Sequence, residues 1–176
     1  MLKVRFLCVA ASALLLATAP AADAAILGPD AAQCARGDGP AVLVRITGLK
    51  NRAGSVRART FAGDKPSTWF NKKQTLKRTQ VSVPASGPVE ICMPVPKPGG
   101  YVVDIRHDIN GNGDSDRADG AGASGNPNIS LFDFLIGKKP PASKVVFQVG
   151  EGVASVSILM KYVQGGSFKP VQVTAR

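Results

Sequence analysis

From Ala41 onward, apolar and polar residues alternate with the period of two that a half-buried strand imposes. Val42, Val44 and Ile46 point one way, while Leu43, Arg45 and Thr47 point the other. A polar turn, Gly48 to Gly54 (GLKNRAG), leads into Ser55 to Phe61, where Val56, Ala58 and Thr60 alternate with Arg57 and Arg59. These runs predict a hairpin whose arginines face water. Residues 63–73 break the alternation at Pro66 and predict a short helical turn or an irregular crossover. Trp69 is expected to be a lid over the core rather than a ligand platform. Thr75 to Pro84 alternates more weakly. Pro88 to Val95 then sets Val89, Ile91 and Met93 on one face and Cys92 on the other. In the next strand Tyr101, Val103, Ile105 and His107 oppose Val102, Asp104 and Arg106.

After a long polar loop, Lys144 to Val149 and Val153 to Val163 read as two more strands around a Gly150 to Gly152 turn. Val156, Ile158, Met160 and Tyr162 share a side of the second. Residues 164–176 are expected to be a tail, or an edge strand around Val171 and Val173. No long apolar stripe with a 3.6-residue period occurs. About seven short strands with Gly/Pro turns predict an all-β domain over residues 41–163, a single immunoglobulin-like or transthyretin-like antiparallel β-sandwich.

The N-terminus has a different grammar. Lys3 and Arg5 precede an apolar run, Phe6 to Ala19, and then small residues, Ala21-Ala22-Asp23-Ala24-Ala25. This order predicts a secretory signal peptide, residues 1–24, cut after Ala24. The run is shorter than the roughly 20 residues of a membrane span, so a signal anchor is the alternative, and no other stretch reads as transmembrane. Residues 25–40, rich in Gly, Pro and Ala without a period, are expected to be a tail. About 150 residues remain, the length of one domain with a core of its own. Without Lys3, Arg5 and Asp23 the charge count falls to 20 basic and 11 acidic residues. That excess suits either a soluble basic surface or attraction to anionic envelope polymers and lipid headgroups. The basic stretches lack interleaved aromatics, which with export argues against nucleic acid. Cys34 and Cys92 survive processing, and an even count in an exported chain predicts one disulfide. Two free thiols or a metal pair are the alternatives.

The stretch with chemistry in it runs from His107 to Asn128 (HDINGNGDSDRADGAGASGNPN). Asp108, Asn110 and Asn112 stand at alternate places, Gly113 follows, and Asp119 occupies the twelfth place. This is the D-x-[DN]-x-[DN]-G pattern of calcium loops, with Asp where the pattern ends in Glu. Alternate residues of a tightly turning loop aim short oxygen-bearing side chains inward, and a hard cation takes six to eight such oxygens. Asp114 would offer its main-chain carbonyl, and Asp116 its carboxylate directly or through water. Four carboxylates crowd this loop of a basic chain, so Ca²⁺ is the expected ion. The short Asp119 predicts weak affinity, in the range of about 10⁻⁴–10⁻³ M. The alternative is a solvated Asp/Asn/Gly turn held by its own hydrogen bonds. His107, the one histidine, is expected at the rim of the core, with an orienting contact to the loop as the alternative.

The run Gly99-Gly100-Tyr101 to Asp108, then Asn110-Gly111-Asn112-Gly113, then Gly125-Asn126-Pro127, resembles the uncharacterised bacterial "domain of unknown function 2141" family. Val42 to Gly54 and the closing strands share in the likeness, which spans nearly all of the mature chain. The family pairs its strand and H-D-x-N-x-N-G loop with a G-F-S-x-N-P-like segment. Here Ala123-Ser124-Gly125 stands where an aromatic usually precedes Ser. The resemblance implies a secreted all-β domain and brings no activity with it.

No complete catalytic constellation is present. Gly122-Ala123-Ser124-Gly125-Asn126 misses the G-x-S-x-G elbow at its last place, and neither a P-loop nor a dinucleotide fingerprint occurs. A metal-dependent hydrolase using Asp104 and Asp108 beside His107 is the weakest class. The leading expectation is a non-catalytic module of the periplasm or the cell exterior, binding another envelope protein or an anionic polysaccharide. A structural periplasmic domain without metal is the alternative.

Overall fold

A computed structural model describes residues 25–171. The expected signal peptide and Val173 lie outside them. The order opens with β1 (Ile26–Leu27), α1 (Ala31–Arg36), β2 (Ala41–Thr47) and β3 (Ser55–Ala62). A 3₁₀ turn (Pro66–Thr68) precedes β4 (Lys77–Ser82), β5 (Val89–Pro94), β6 (Gly99–Asp108) and β7 (Gly120–Ala123). Two short helices, α2 (Leu131–Leu135) and α3 (Ala142–Val145), lead to β8 (Phe147–Val149), β9 (Val153–Leu159), β10 (Lys161–Gln164) and β11 (Ser167–Pro170).

The strands form two sheets, as an all-β sandwich requires. The smaller has the order β1-β5-β2-β9, and the larger β11-β10-β7-β6-β3-β4, with β8 beside β7 on the same edge of β6. Apolar positions of both meet between them: Val42, Val44, Ile46, Val89, Ile91, Met93 and Ile158 face Val56, Ala58, Val103, Ile105, Met160 and Tyr162. The alternation seen in the sequence therefore marks the correct inward faces.

Pairing departs from expectation. β2 and β3 form no hairpin: β2 pairs with β5 and β9, while β3 pairs with β4 and β6 in the other sheet. The Gly48 to Gly54 turn carries the chain across the sandwich. Alternation fixes a strand's inward face, but two strands facing each other across a core alternate just as two neighbours do. Nor is the sandwich wholly antiparallel, since β1–β5 and β2–β9 run parallel. The long last strand is broken at Met160, whose N–H donates to Thr47 O at 2.8 Å while the chain switches sheets. β8 and β9 likewise lie in different sheets. The 25–40 tail is instead an edge strand and a helix. α1 lies against the small sheet, tied by a Cys34–Cys92 disulfide whose Cα atoms are 5.8 Å apart.

The larger sheet has a second covered face. Phe61, Trp69, Val102 and Val145 form a separate apolar cluster there, so Trp69 caps the outside of this sheet rather than the core between the sheets. Arg59 continues that face, and it does not reach water: it is 7% exposed, with Nε donating to Asp104 Oδ1 at 2.9 Å and Nη2 also paired to that carboxylate. Arg57 is half-buried. Alternating Arg residues read as solvated only when nothing folds over the outer face, and here residues 65–73 do.

Two stability measurements follow. Arg59→Ala would leave Asp104 buried without its partner and should lower unfolding stability by about 3–5 kcal/mol in denaturant titration. Pairing Arg59→Met with Asp104→Leu should recover most of that loss, and an additive double loss would show that the pair is not the cause. Gly125 has φ +71°, and a Cβ there would overlap the carbonyl oxygen of Lys144. Gly125→Ala should therefore lower Tm more than Gly87→Ala, where φ is +80° but nothing lies within 4 Å.

Candidate functional site

The loop between β6 and β7 is built around a guanidinium. Arg106 Nη2 donates to Gly113 O at 2.7 Å and to Asp108 Oδ2 at 3.2 Å, and Nη1 to Ser115 Oγ at 3.1 Å. Asp108 is 1% exposed. Its Oδ2 also accepts from Gly113 N–H at 2.9 Å, and its Oδ1 is buried with no hydrogen-bond partner. Gly54 closes in from the β2–β3 turn, where a Cβ would overlap the Asp108 carbonyl oxygen.

The other expected ligands form hydrogen-bonded turns. Asn110 Oδ1 accepts from Asn112 N–H (3.2 Å) and Asn112 Oδ1 from Asp114 N–H (2.9 Å). Both amides donate to Asp116 Oδ2, at 2.8 and 3.4 Å, and Asp116 Oδ1 accepts from Ala118 N–H at 2.8 Å. The Ala118 N–H, followed by the Asn110 amide, holds the Asp116 carboxyl below the usual carboxylate range. Asp119 accepts from Ile109 N–H at 3.2 Å and from Asp116 N–H at 3.4 Å. The Asp114 side chain stays exposed. Among the described residues no three His, Cys, Asp or Glu side chains converge as a metal cluster. The loop thus offers oxygen donors suited to a hard cation, but in turns that would have to repack to surround one.

His107 lies deeper than its expected place at the core rim and is fully buried. Nε2 meets Ala53 O at 2.9 Å and Nδ1 meets Tyr162 OH at 2.7 Å. A carbonyl only accepts, so Nε2 carries a proton, and in the neutral imidazole Nδ1 accepts from the hydroxyl. The hydroxyl oxygen accepts in turn from Lys50 N–H at 2.9 Å. Burial pushes the Tyr162 pKa up, which keeps that donor protonated.

The Ser124-Gly125-Asn126-Pro127 segment turns out to be a clamp. Ser124, fully buried, donates to Val145 O and accepts from Val103 N–H at 3.2 Å. Asn126 Oδ1 accepts from Leu159 N–H at 2.7 Å. Lys161 Nζ donates to Asn126 O, Pro127 O and Asn128 Oδ1 at 2.9–3.1 Å, and burial lowers its pKa. Reading along the sequence missed Lys161, since its partners lie more than 30 positions away; the only signal was the Asn-Pro pair. Beside the clamp an open cavity of about 550 Å³ has Lys138, Lys139 and Lys144 on its walls, which carry no Ser, Cys or His.

A family model described as "Uncharacterized protein conserved in bacteria (DUF2141)" matches residues 44–157, from β2 into β9. No curated protein and no solved structure matches the chain. The matched span holds strands of both sheets, the loop and the Ser124 to Pro127 segment of the clamp, and with well over half of the chain covered, this protein belongs to that bacterial family.

Proposed function

We propose that this chain is an exported, non-catalytic module of the bacterial envelope whose 108–119 loop takes Ca²⁺ and whose basic surface meets a partner protein or an anionic polysaccharide. The observation that supports the metal most is Asp108, a buried carboxylate with one oxygen left without a partner. Such an oxygen has been stripped of water and given nothing in return, which a cation would remedy. Asp108, Asn110, Asn112, Asp116 and Asp119 would hold the ion with the main-chain carbonyl of Asp114. Bound Ca²⁺ would supply counter-charge to the loop's carboxylates and tie its turns together. Export is read from residues 1–24 and agrees with the disulfide. The non-catalytic reading is supported by His107 and Ser124, which spend their hydrogen-bonding capacity on the fold.

A second reading, a structural periplasmic domain without metal, is favoured by Arg106. Its guanidinium already places a positive charge against Asp108 and bonds to the turn that a cation would organise. The two readings differ in their response to calcium. Under the first, calcium at ten times Kd adds about 1.4 kcal/mol and should raise Tm by roughly 3–6 °C. Magnesium should do less, because it keeps its waters and demands octahedral geometry. Asp108→Asn should remove the calcium shift. No change in Tm or in binding heat up to 10 mM Ca²⁺ would leave Arg106 as the cation that meets Asp108 and sink the metal reading.

A further inference from the structure

On the outer face of the larger sheet stand more guanidinium groups than carboxylates to receive them. Arg57 of β3 sits directly opposite Arg106 of β6 and Gln80 of β4. Two residues on, Arg59 sits opposite Arg78 and Asp104. Residues directly opposite share a face, and like charges so placed repel. The carboxylates on these strands' outer face are already committed, Asp104 to Arg59 and Asp108 to Arg106. Arg78 donates to Gln80 Oε1 at 3.0 Å, and Gln80 to Ser55 Oγ at 3.0 Å. Arg57 is left over. Among the described residues its guanidinium makes no hydrogen bond and no ion pair, and its Nε is buried without a partner.

We propose that this row is an oxyanion-binding site centred on Arg57 and continued by the exposed Arg78 and Gln80, and that it takes the acidic groups of an anionic polysaccharide. The site itself rests on geometry; the class of ligand rests on the anionic-partner reading given above. A half-buried guanidinium without an acceptor has given up water for nothing, and a carboxylate or sulfate accepts from it in a bidentate fork. Burial, followed by the charge of Arg59, Arg106 and Arg78, pushes Arg57 down to about 10, with only Asp104 opposing among its charged neighbours. An incoming anion would relieve that crowding. Phe70 O accepts from Arg59 on one side and Gly113 and Ser115 hold Arg106 on the other, while toward β4 the half-buried Arg57 adjoins the exposed Arg78 and Gln80. Strand geometry spaces these side chains about 4.8 Å across the sheet and about 6.6 Å along it. A polymer repeating its acidic groups matches such an array better than one headgroup does. Among the described residues no exposed large apolar side chain stands on β3, β4 or β6 to receive acyl chains.

The test uses the mature chain, polygalacturonate as the polymer and inorganic sulfate as the small ion. Polymer binding should weaken at least tenfold in Arg57→Gln, while Tm stays level or rises because a like-charge contact is removed. Lys72→Gln and Lys73→Gln, on the exposed stretch before β4, should each weaken binding less than twofold. Equal losses in all three variants would mean diffuse attraction and would overturn the site. Polymer binding unchanged by Arg57→Gln would also overturn the site while leaving the anionic-partner reading standing. Sulfate that shifts the Arg57 Nε–H resonance without any polymer binding would uphold the site and remove the polysaccharide. Binding to phosphatidylglycerol vesicles but not to the polymer would likewise overturn the polysaccharide as ligand.

Discussion

Strand β6 is the constraint to which the rest of the domain conforms. From Tyr101 to Asp108 it is buried on both faces, although four of those eight residues are Asp104, Arg106, His107 and Asp108. Polar groups are buried at tolerable cost only with partners in place, and each partner here comes from a different part of the chain. Asp104 draws Arg59 from β3, Arg106 draws the loop at Gly113 and Ser115, and His107 draws Tyr162 from β10 and Ala53 from the turn before β3. These bonds hold β3, β10, the β6–β7 loop and the turn before β3 in fixed places around β6.

Period-two alternation was enough to find the strands of the core, because the inward residues of β2, β3, β5 and β6 are apolar apart from Thr60 and His107. It was silent about partners. The β2–β3 turn looks like a hairpin turn in the sequence, and only the sandwich as a whole shows that it bridges two sheets. β7 escaped notice for a different reason. Its sequence, Gly-Ala-Gly-Ala, has no apolar bulk to announce a strand, and it is small because Tyr162 and Ile158 press against Gly120 and Gly122. Residues that yield space to larger neighbours carry little hydrophobic signal of their own.

The site was legible to a similar degree. The spacing of Asp108, Asn110, Asn112 and Asp119 marked the loop, since local turns depend on local residues. The role of Arg106 did not show, because a basic residue on the outward face of a strand reads as solvated until a later segment folds over it. The same blindness made Arg57 and Arg59 look alike in the sequence. In the structure one is neutralised by a buried carboxylate 45 positions away, and the other has nothing.

That contrast bears on what kind of protein this is. Four described polar side chains that could do chemistry are engaged by the fold. His107 has both ring nitrogens engaged, Ser124 holds two backbone segments together, and Tyr162 closes the histidine's network. Lys161 caps three oxygens with its ammonium, leaving no lone pair for attack so long as it stays protonated. A nucleophile must be free to lose its proton toward a base, and these groups hold their protons in place for structure. Among the described residues, a carboxylate oxygen of Asp108 and Nε of Arg57 are charged-group atoms buried without a partner. This unspent charge of both signs stands on adjoining strands, β6 and β3, with Arg106 between them, and it is what the proposed capture of an ion and of an anionic polymer draws on.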